Sequence, residues 1–339
     1  MYDYIIFTHI PAFYKVNLYN ELRKTLKIYV VFIANETDEK RSSDFIDKNT
    51  IRFEYDILSP GDFQHRNKLD NIKKIKAILK YKRFNKIIVS GWDLIEFWYL
   101  IFLVPKQKNC LALESTIMES VSSGIRGCLK KLFLSRIACV FVSGSLQKQL
   151  LGVLNYKGEI RITKGVGIIN KPSFGKEIRS YSKKYLYVGR LSEEKNLFFL
   201  IKVFNALSDY QLTIIGVGPI ETELKKLAND NIVFCGQVDN KDLKNVYFDN
   251  DLLILPSLRE PWGLVVEEAL YFGMPVIISD KCGAIELIEN GENGYVFDSE
   301  AQLKKIILSQ NQYTYSQLVK GVNISSVEIK DHRQVEVYL

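Results

Sequence analysis

Short apolar runs alternate with helical patterns along most of the chain, and this rhythm constrains the fold more than any other feature. Residues 3–8, 28–33, 86–90, 109–113 and 138–142 read as strands. Between them, residues 15–26, 70–82, 93–103, 125–136 and 145–154 carry apolar side chains at helical spacing. Strand–helix alternation predicts a parallel sheet with helices on both faces, whose ligands bind at the C-terminal ends of the strands. Residues 163–182, rich in Gly, Ser and Lys, interrupt the rhythm. It then restarts with strands at 185–188, 212–215, 232–234, 251–255 and 276–279, ending with a strand at 294–297. Helices are expected at 197–207, 220–228, 242–247 and 302–308. The expected architecture is α/β, two Rossmann-like domains with parallel sheets facing across a cleft. The N-terminal domain is placed at residues 1–165, a linker at 166–182 and the C-terminal domain at 183–315. A segment at 316–339 is expected to return to the first domain through a helix near 331–339.

The 339 residues are 47% hydrophobic and 25% charged, which permits a large core. Charge is uneven: residues 1–165 hold 27 Lys/Arg against 16 Asp/Glu, the remainder 19 against 23. A basic first half suits anionic partners. Five cysteines without a C-x-x-C pair give no disulfide or zinc framework, and His9, His65 and His332 are too dispersed for metal-ligand spacing. The N-terminus lacks a basic n-region and a long apolar run, so no signal peptide is expected. The apolar run at 97–104 is well short of the ~20 residues a spanning helix needs. The expected address is the cytoplasm, at most peripheral to the inner face of a membrane.

The stretch 255–283, LPSLREPWGLVVEEALYFGMPVIISDKCG, carries the most chemistry. Pro256 stops a strand, and the loop that follows holds Glu260, Pro261 and Trp262. Gly263 opens a helix that Gly273 closes. First-turn amides, here those of Leu264 and Val265, lack intrahelical acceptors and favour an anion. Glu260 before the helix and Glu268 within it can accept hydrogen bonds from hydroxyls on either side of a phosphate, which describes a sugar nucleotide. Upstream, YVGRLSEEKNL ends a strand at Gly189 and offers Arg190 and Lys195, a fork and a point charge suited to a diphosphate. In IIGVGPIE, Gly216 and Gly218 let backbone approach a ligand, but the string is not a dinucleotide fingerprint, so a nicotinamide cofactor is unsupported.

Glu260-x7-Glu268 within EPWGLVVEE, trailed by GMPVIIS, resembles the signature of retaining family-4 glycosyltransferases. The segment at Gly189, Arg190 and Lys195 is similar to that family's G-R-L-x-x-E-K, whose Arg and Lys bind the donor diphosphate. The Gly216–Gly218 turn and the strand around Phe234 also look like the family's nucleotide-bordering elements. The resemblance covers residues 185–298 and implies a GT-B fold, with the donor in the C-terminal domain and the acceptor in the N-terminal one. It further implies a metal-independent reaction with no cofactor, a UDP- or GDP-sugar as donor, and a glycan or lipid-linked acceptor in surface polysaccharide or glycolipid synthesis. Rival expectations are a GT-B epimerase and a catalytically silent sugar-nucleotide-binding protein.

The first domain departs from the family. Its first strand is followed by His9-Ile10-Pro11-Ala12 where the family often has a Gly-Gly turn, and Glu114 stands about where many members have a histidine. Glu114 can orient an acceptor, steady charge on the sugar, or merely start a helix. Residues 125–136 place Ile125, Cys128, Leu129, Leu132 and Phe133 on one face, with Arg126, Lys130, Lys131 and Arg136 around the rest. That face either packs on the core or lies on an anionic membrane. Aromatics do not interleave with the cations, so no nucleic-acid partner is expected.

Overall fold

The computed structural model describes residues 1–38, 45–46, 48–174, 180–239 and 242–339. Part of the segment read as a linker, residues 175–179, lies outside the described residues. The chain divides into two compact units, one made of Met1–Ile168 with Lys330–Leu339, the other of Ile169–Ile329.

The first unit runs β1 (Tyr2–Thr8), α1 (Phe13–Leu22), β2 (Ile28–Glu36), β3 (Glu54–Asp62), α2 (Lys68–Tyr81), β4 (Phe84–Val89), α3 (Ile95–Leu103), β5 (Asn109–Leu113), α4 (Gly124–Ser135), β6 (Cys139–Val142), α5 (Ser145–Val153) and β7 (Glu159–Ile162). Its sheet has the order β3-β2-β1-β4-β5-β6-β7, with every pair parallel. Side-chain alternation sends Ile5 and Phe7 of β1 into one core, with Val31, Ile87 and Leu111. Tyr4 and Ile6 enter the core on the opposite face, with Val30, Ile88 and Cys110. Both faces are covered, as a parallel sheet requires. The 330–339 segment is tied into this unit: Tyr4 donates to Tyr338 O at 3.1 Å, and Tyr338 stacks on Phe141 at 4.4 Å.

The second unit runs β8 (Lys184–Val188), α6 (Leu197–Asn205), β9 (Gln211–Ile215), α7 (Glu221–Leu227), β10 (Ile232–Gly236), α8 (Leu243–Asp249), β11 (Leu252–Leu255), α9 (Leu264–Tyr271), β12 (Val276–Ser279), β13 (Gly294–Phe297), α10 (Glu300–Ser309) and α11 (Gln312–Gly321), then α12 (Ile324–Glu336), which continues into the 330–339 segment. Its sheet order is β10-β9-β8-β11-β12-β13, again parallel. Each sheet thus reverses its strand order once, between β1 and β4 and between β8 and β11. At such a switch point adjacent loops leave in opposite directions and open a crevice.

Three sequence expectations need correction. Strands β3 and β7 went unread, and each lies at an edge of the first sheet. One face of an edge strand can stay polar, and Glu54, Asp56 and Glu159 hide the apolar pattern that marks a central strand. Helix α11 also went unread; Asn311 caps it through Tyr313 and Thr314 amides, with Thr314 returning the capping-box bond. Finally, α4 does not bury the face its periodicity suggests. It packs through Gly127, Phe133 and Leu134. A Cβ on Gly127 would lie 2.3 Å from Ser122 O, so the preceding loop fixes the helix's inward face there. Ile125, Leu129 and Leu132 are left 82%, 47% and 49% exposed. The core-packing reading of that face holds for Phe133 and fails for Ile125, Cys128, Leu129 and Leu132.

Candidate functional site

At the β8/β11 switch point the two sequence motifs meet. After β8 the chain turns through Gly189 and Arg190 into a short 3-10 turn, Glu193–Lys195. Asn196 then takes a left-handed conformation (φ +59°) and caps α6. After β11 the loop carries Ser257 and Glu260 to Gly263, which caps α9 at φ +98°. The loops are joined by backbone, with Leu258 N donating to Glu194 O at 2.8 Å, and by Asn196 Nδ2 donating to Pro256 O at 3.2 Å. On this frame Lys195 Nζ donates to Glu260 Oε2 at 2.5 Å, both side chains less than one-fifth exposed. Ser257 Oγ also reaches Glu260 Oε2, at 3.4 Å.

Arg190 is exposed, and its carbonyl accepts from Tyr187 Oη at 2.9 Å, which anchors the turn from below. Glu194 lies between the two cations. Burial pushes its carboxyl up, but the Ser192 hydroxyl, its own amide, Lys195 and Arg190 together hold it below the usual range. The switch point therefore concentrates two cations and two carboxylates on loops fixed at both ends.

Gly216 and Gly218 have a backbone reason to be glycine. Built Cβ atoms would lie 1.9 Å from Gly189 O and 2.1 Å from Leu191 O. The turn after β9 passes too close to the turn after β8 for any side chain. Gly216 N also donates to Gly236 O at 2.7 Å, which links this turn to the end of β10, the strand that carries Phe234.

Glu268 sits within α9 and is buried, with Oε2 accepting from Tyr247 Oη of α8 at 2.8 Å. Its neighbour Glu267 is fully buried and accepts from Trp262 Nε1 at 2.5 Å, which locks the loop before α9 onto the helix. Leu264 and Val265, half-buried, open α9. Sequence reasoning missed Tyr247, Ser257 and Glu267. Tyr247 and Ser257 had no local signal; Trp262 and Glu267 are five apart, a spacing no helix rule flags.

Glu114 follows β5 in the first unit and is ion-paired with Lys15 of α1. Burial disfavours the Lys15 ammonium, yet Glu114 together with Tyr19, Tyr14 and Tyr338 outweighs this and lifts its pKa above the ordinary lysine value. Glu114 lies in the first unit, and Arg190, Lys195, Glu260 and Glu268 lie in the second. No helix among the described residues is long and apolar enough to cross a membrane.

Residues 170–312 match the family model of the group 1 glycosyl transferases. A protein of Klebsiella pneumoniae, described as an uncharacterized 41.2 kDa protein in the cps region, is 27% identical over 73% of this chain and 64% of its own length. A GDP-mannose-dependent alpha-mannosyltransferase of Corynebacterium glutamicum is 35% identical over 33% of this chain and 27% of its own. The chain therefore spans less than two thirds of these relatives' lengths. Among solved structures, HepE of Anabaena in complex with UDP and glucose superposes with a TM-score of 0.71 at 13% identity, covering 99% of both chains. That likeness establishes the fold: two parallel-sheet Rossmann-like domains of the GT-B type.

Proposed function

We propose that this chain is a glycosyltransferase that moves a sugar from a UDP- or GDP-sugar to a hydroxyl of a glycan or lipid-linked acceptor. The reaction retains anomeric configuration, needs no metal, and serves surface polysaccharide or glycolipid synthesis. The observation that carries this reading is the Lys195–Glu260 ion pair, which joins the two motifs at one switch point. The match of residues 170–312 and the sugar-nucleotide chemistry in the relatives' names support it.

Arg190 and Lys195 neutralise the diphosphate as it leaves, and the Leu264 and Val265 amides add to that. Stabilising charge where it develops is usually the largest catalytic contribution. Glu260 accepts from sugar hydroxyls while keeping Lys195 in place. Glu268 accepts from the ribose, and Gly189, Gly216, Gly218, Gly263 and Phe234 border the nucleotide with backbone and ring. The second unit is the donor domain and the first the acceptor domain.

A thermal-shift panel of nucleoside diphosphates and sugar nucleotides tests this, because a ligand that binds the folded state raises the melting temperature. UDP or GDP should give the shift, and a flat panel would discard the reading. Glu268→Ala should weaken nucleotide binding by about 1.5–3 kcal/mol, the size of a charge-assisted hydrogen bond. Glu268→Gln keeps an acceptor for Tyr247 and should lose less. Unaltered titration isotherms in both variants would remove Glu268 from the donor site.

The exposed apolar residues of α4, with Arg126, Lys131 and Arg136 beside them, support a membrane-surface placement of the first unit. A helix of this kind lies in the interface, its apolar side chains in the acyl boundary and its cations on anionic headgroups. The protein should float with vesicles containing phosphatidylglycerol and not with pure phosphatidylcholine. Replacing Ile125, Leu129 and Leu132 by glutamate should cut that binding by about tenfold or more, since each withdraws apolar area. Equal flotation of the triple variant would end the membrane reading.

A further inference from the structure

The carboxylate assigned to the ribose takes a donor from outside its own helix. Glu268 sits in α9, and its Oε2 accepts from Tyr247 Oη of α8 at 2.8 Å. The two residues are 21 positions apart in sequence. Glu267, one position earlier, accepts from Trp262 in the loop that leads into α9. Two neighbouring glutamates thus have different anchors. Trp262 and Glu267 tie the loop to its helix, whereas Tyr247 ties the Glu268 carboxylate to a second helix.

Tyr247 has little room to move. It is fully buried, and its ring stacks on that of Phe272, with centroids 5.2 Å apart and planes 23° from parallel. Phe272 meets the rings of Phe174, Phe248 and Tyr271 in turn, at 5.4, 5.9 and 5.2 Å. Its amide donates to Glu268 O at 3.0 Å, so the ring behind the phenol hangs on the turn of α9 that carries the carboxylate. Burial, followed by the Glu268 charge and the bond to it, pushes the Tyr247 phenol well above its ordinary range. At neutral pH the phenol therefore keeps its proton and is the donor.

With Oε2 held by a fixed donor, the side-chain rotamer and the plane of the carboxylate are set before any ligand arrives. Groups set in advance spare a ligand the cost of ordering them. Folding alone gains little from such a pair, since two apolar groups of the same shape in its place can be nearly neutral. Glu268 is 9% exposed and Glu267 not at all, so of the two only Glu268 reaches the surface. We infer that Tyr247 is a positioning residue for donor binding: its hydroxyl holds the Glu268 carboxylate in the orientation that accepts from the ribose hydroxyls. This rests on the donor-site reading above.

Titration of the whole chain with UDP and GDP, each beside its 2′,3′-dideoxy analogue, tests the assignment. The nucleotide that binds the parent should bind about tenfold or more tighter than its dideoxy analogue, the worth of hydrogen bonds to a charged group. Tyr247→Phe removes one oxygen and keeps the ring. It should bring that preference to within about threefold, because the carboxylate must then be ordered by the ligand, and leave affinity for the dideoxy analogue unchanged. A purely structural hydroxyl would weaken both ligands alike or neither. Because Tyr247→Phe strips a donor from a buried carboxylate and can fail to fold, a second probe keeps the hydroxyl: 3-fluorotyrosine placed at position 247. Its fluorine NMR signal should move with the nucleotide and stay in place with the dideoxy analogue. A preference unchanged in a folded Tyr247→Phe protein, equal loss of both ligands, or a fluorine signal that moves equally with both would each overturn the inference. The outcomes also separate the readings. No nucleotide binding fells the transferase; nucleotide binding without a ribose preference in the parent fells the roles of Glu268 and Tyr247 together; a parental preference that survives Tyr247→Phe fells Tyr247 alone.

Discussion

Lys195→Ala lowers kcat by about 10²–10³, the loss that follows removal of one preorganised donor to developing charge. The structure makes this position more sensitive than an ordinary loop lysine. The 3-10 turn at Glu193–Lys195 and the left-handed Asn196 fix the backbone, and Glu260 fixes the ammonium at 2.5 Å. Truncation removes the cation and also leaves the largely buried Glu260 carboxylate without it, so the site greets a diphosphate with a bare negative charge. The two residues act as a unit, and their effects should not add. Lys195→Ala/Glu260→Gln should therefore lose less than the product of the single losses. Arg190→Ala should cost a similar factor. Turnover within tenfold of the parent, in a Lys195→Ala protein with an unchanged melting temperature, would exclude the proposed role.

Much of the second unit could be read from sequence because its motifs are contiguous. Gly189 to Lys195 and Glu260 to Glu268 are short strings in which spacing alone fixes strand end, loop and helix start. Sequence did not show that Lys195 and Glu260 touch, 65 positions apart, or that Gly216 is needed to pass Gly189 O. The first unit was less legible for the same reason. His9 and Asp93 are 84 positions apart, and Lys15 and Glu114 lie on other segments, so no local pattern links them. Periodicity located α4 and its apolar face, but the face that packs is chosen by what the neighbouring loop allows. Gly127 against Ser122 O decides that, and nothing in the helix's own pattern records it.

The largest stability loss is expected at Arg66→Ala. Arg66 lies just before α2 and makes a two-pronged bond to Glu96 of α3, Nε to Oε1 at 2.8 Å and Nη2 to Oε2 at 3.1 Å. Glu96 is fully buried, and Asn71 Nδ2 supplies a further donor at 3.2 Å. Removing the guanidinium strands a buried carboxylate, which costs about 3–5 kcal/mol. For a unit of this size that lowers the melting temperature by on the order of 10 °C. The pH dependence supplies a sign. In the parent, burial pushes the Glu96 carboxyl up, but Arg66, its own amide and Asn71 outweigh that and hold it low. The pair's contribution is then present above the unfolded carboxylate pKa of about 4.3 and lost as pH falls through the folded value. In the variant burial dominates, the folded value rises above the unfolded one, and stability increases as pH falls. The gap between parent and variant should therefore narrow on acidification, as read by thermal unfolding across pH. Arg66 also lies over Phe63, 4.4 Å from its centroid, and Phe63 contacts His9, so its loss also loosens the packing around the end of β1. A gap that stays constant with pH would show that Glu96 is not held ionised by Arg66.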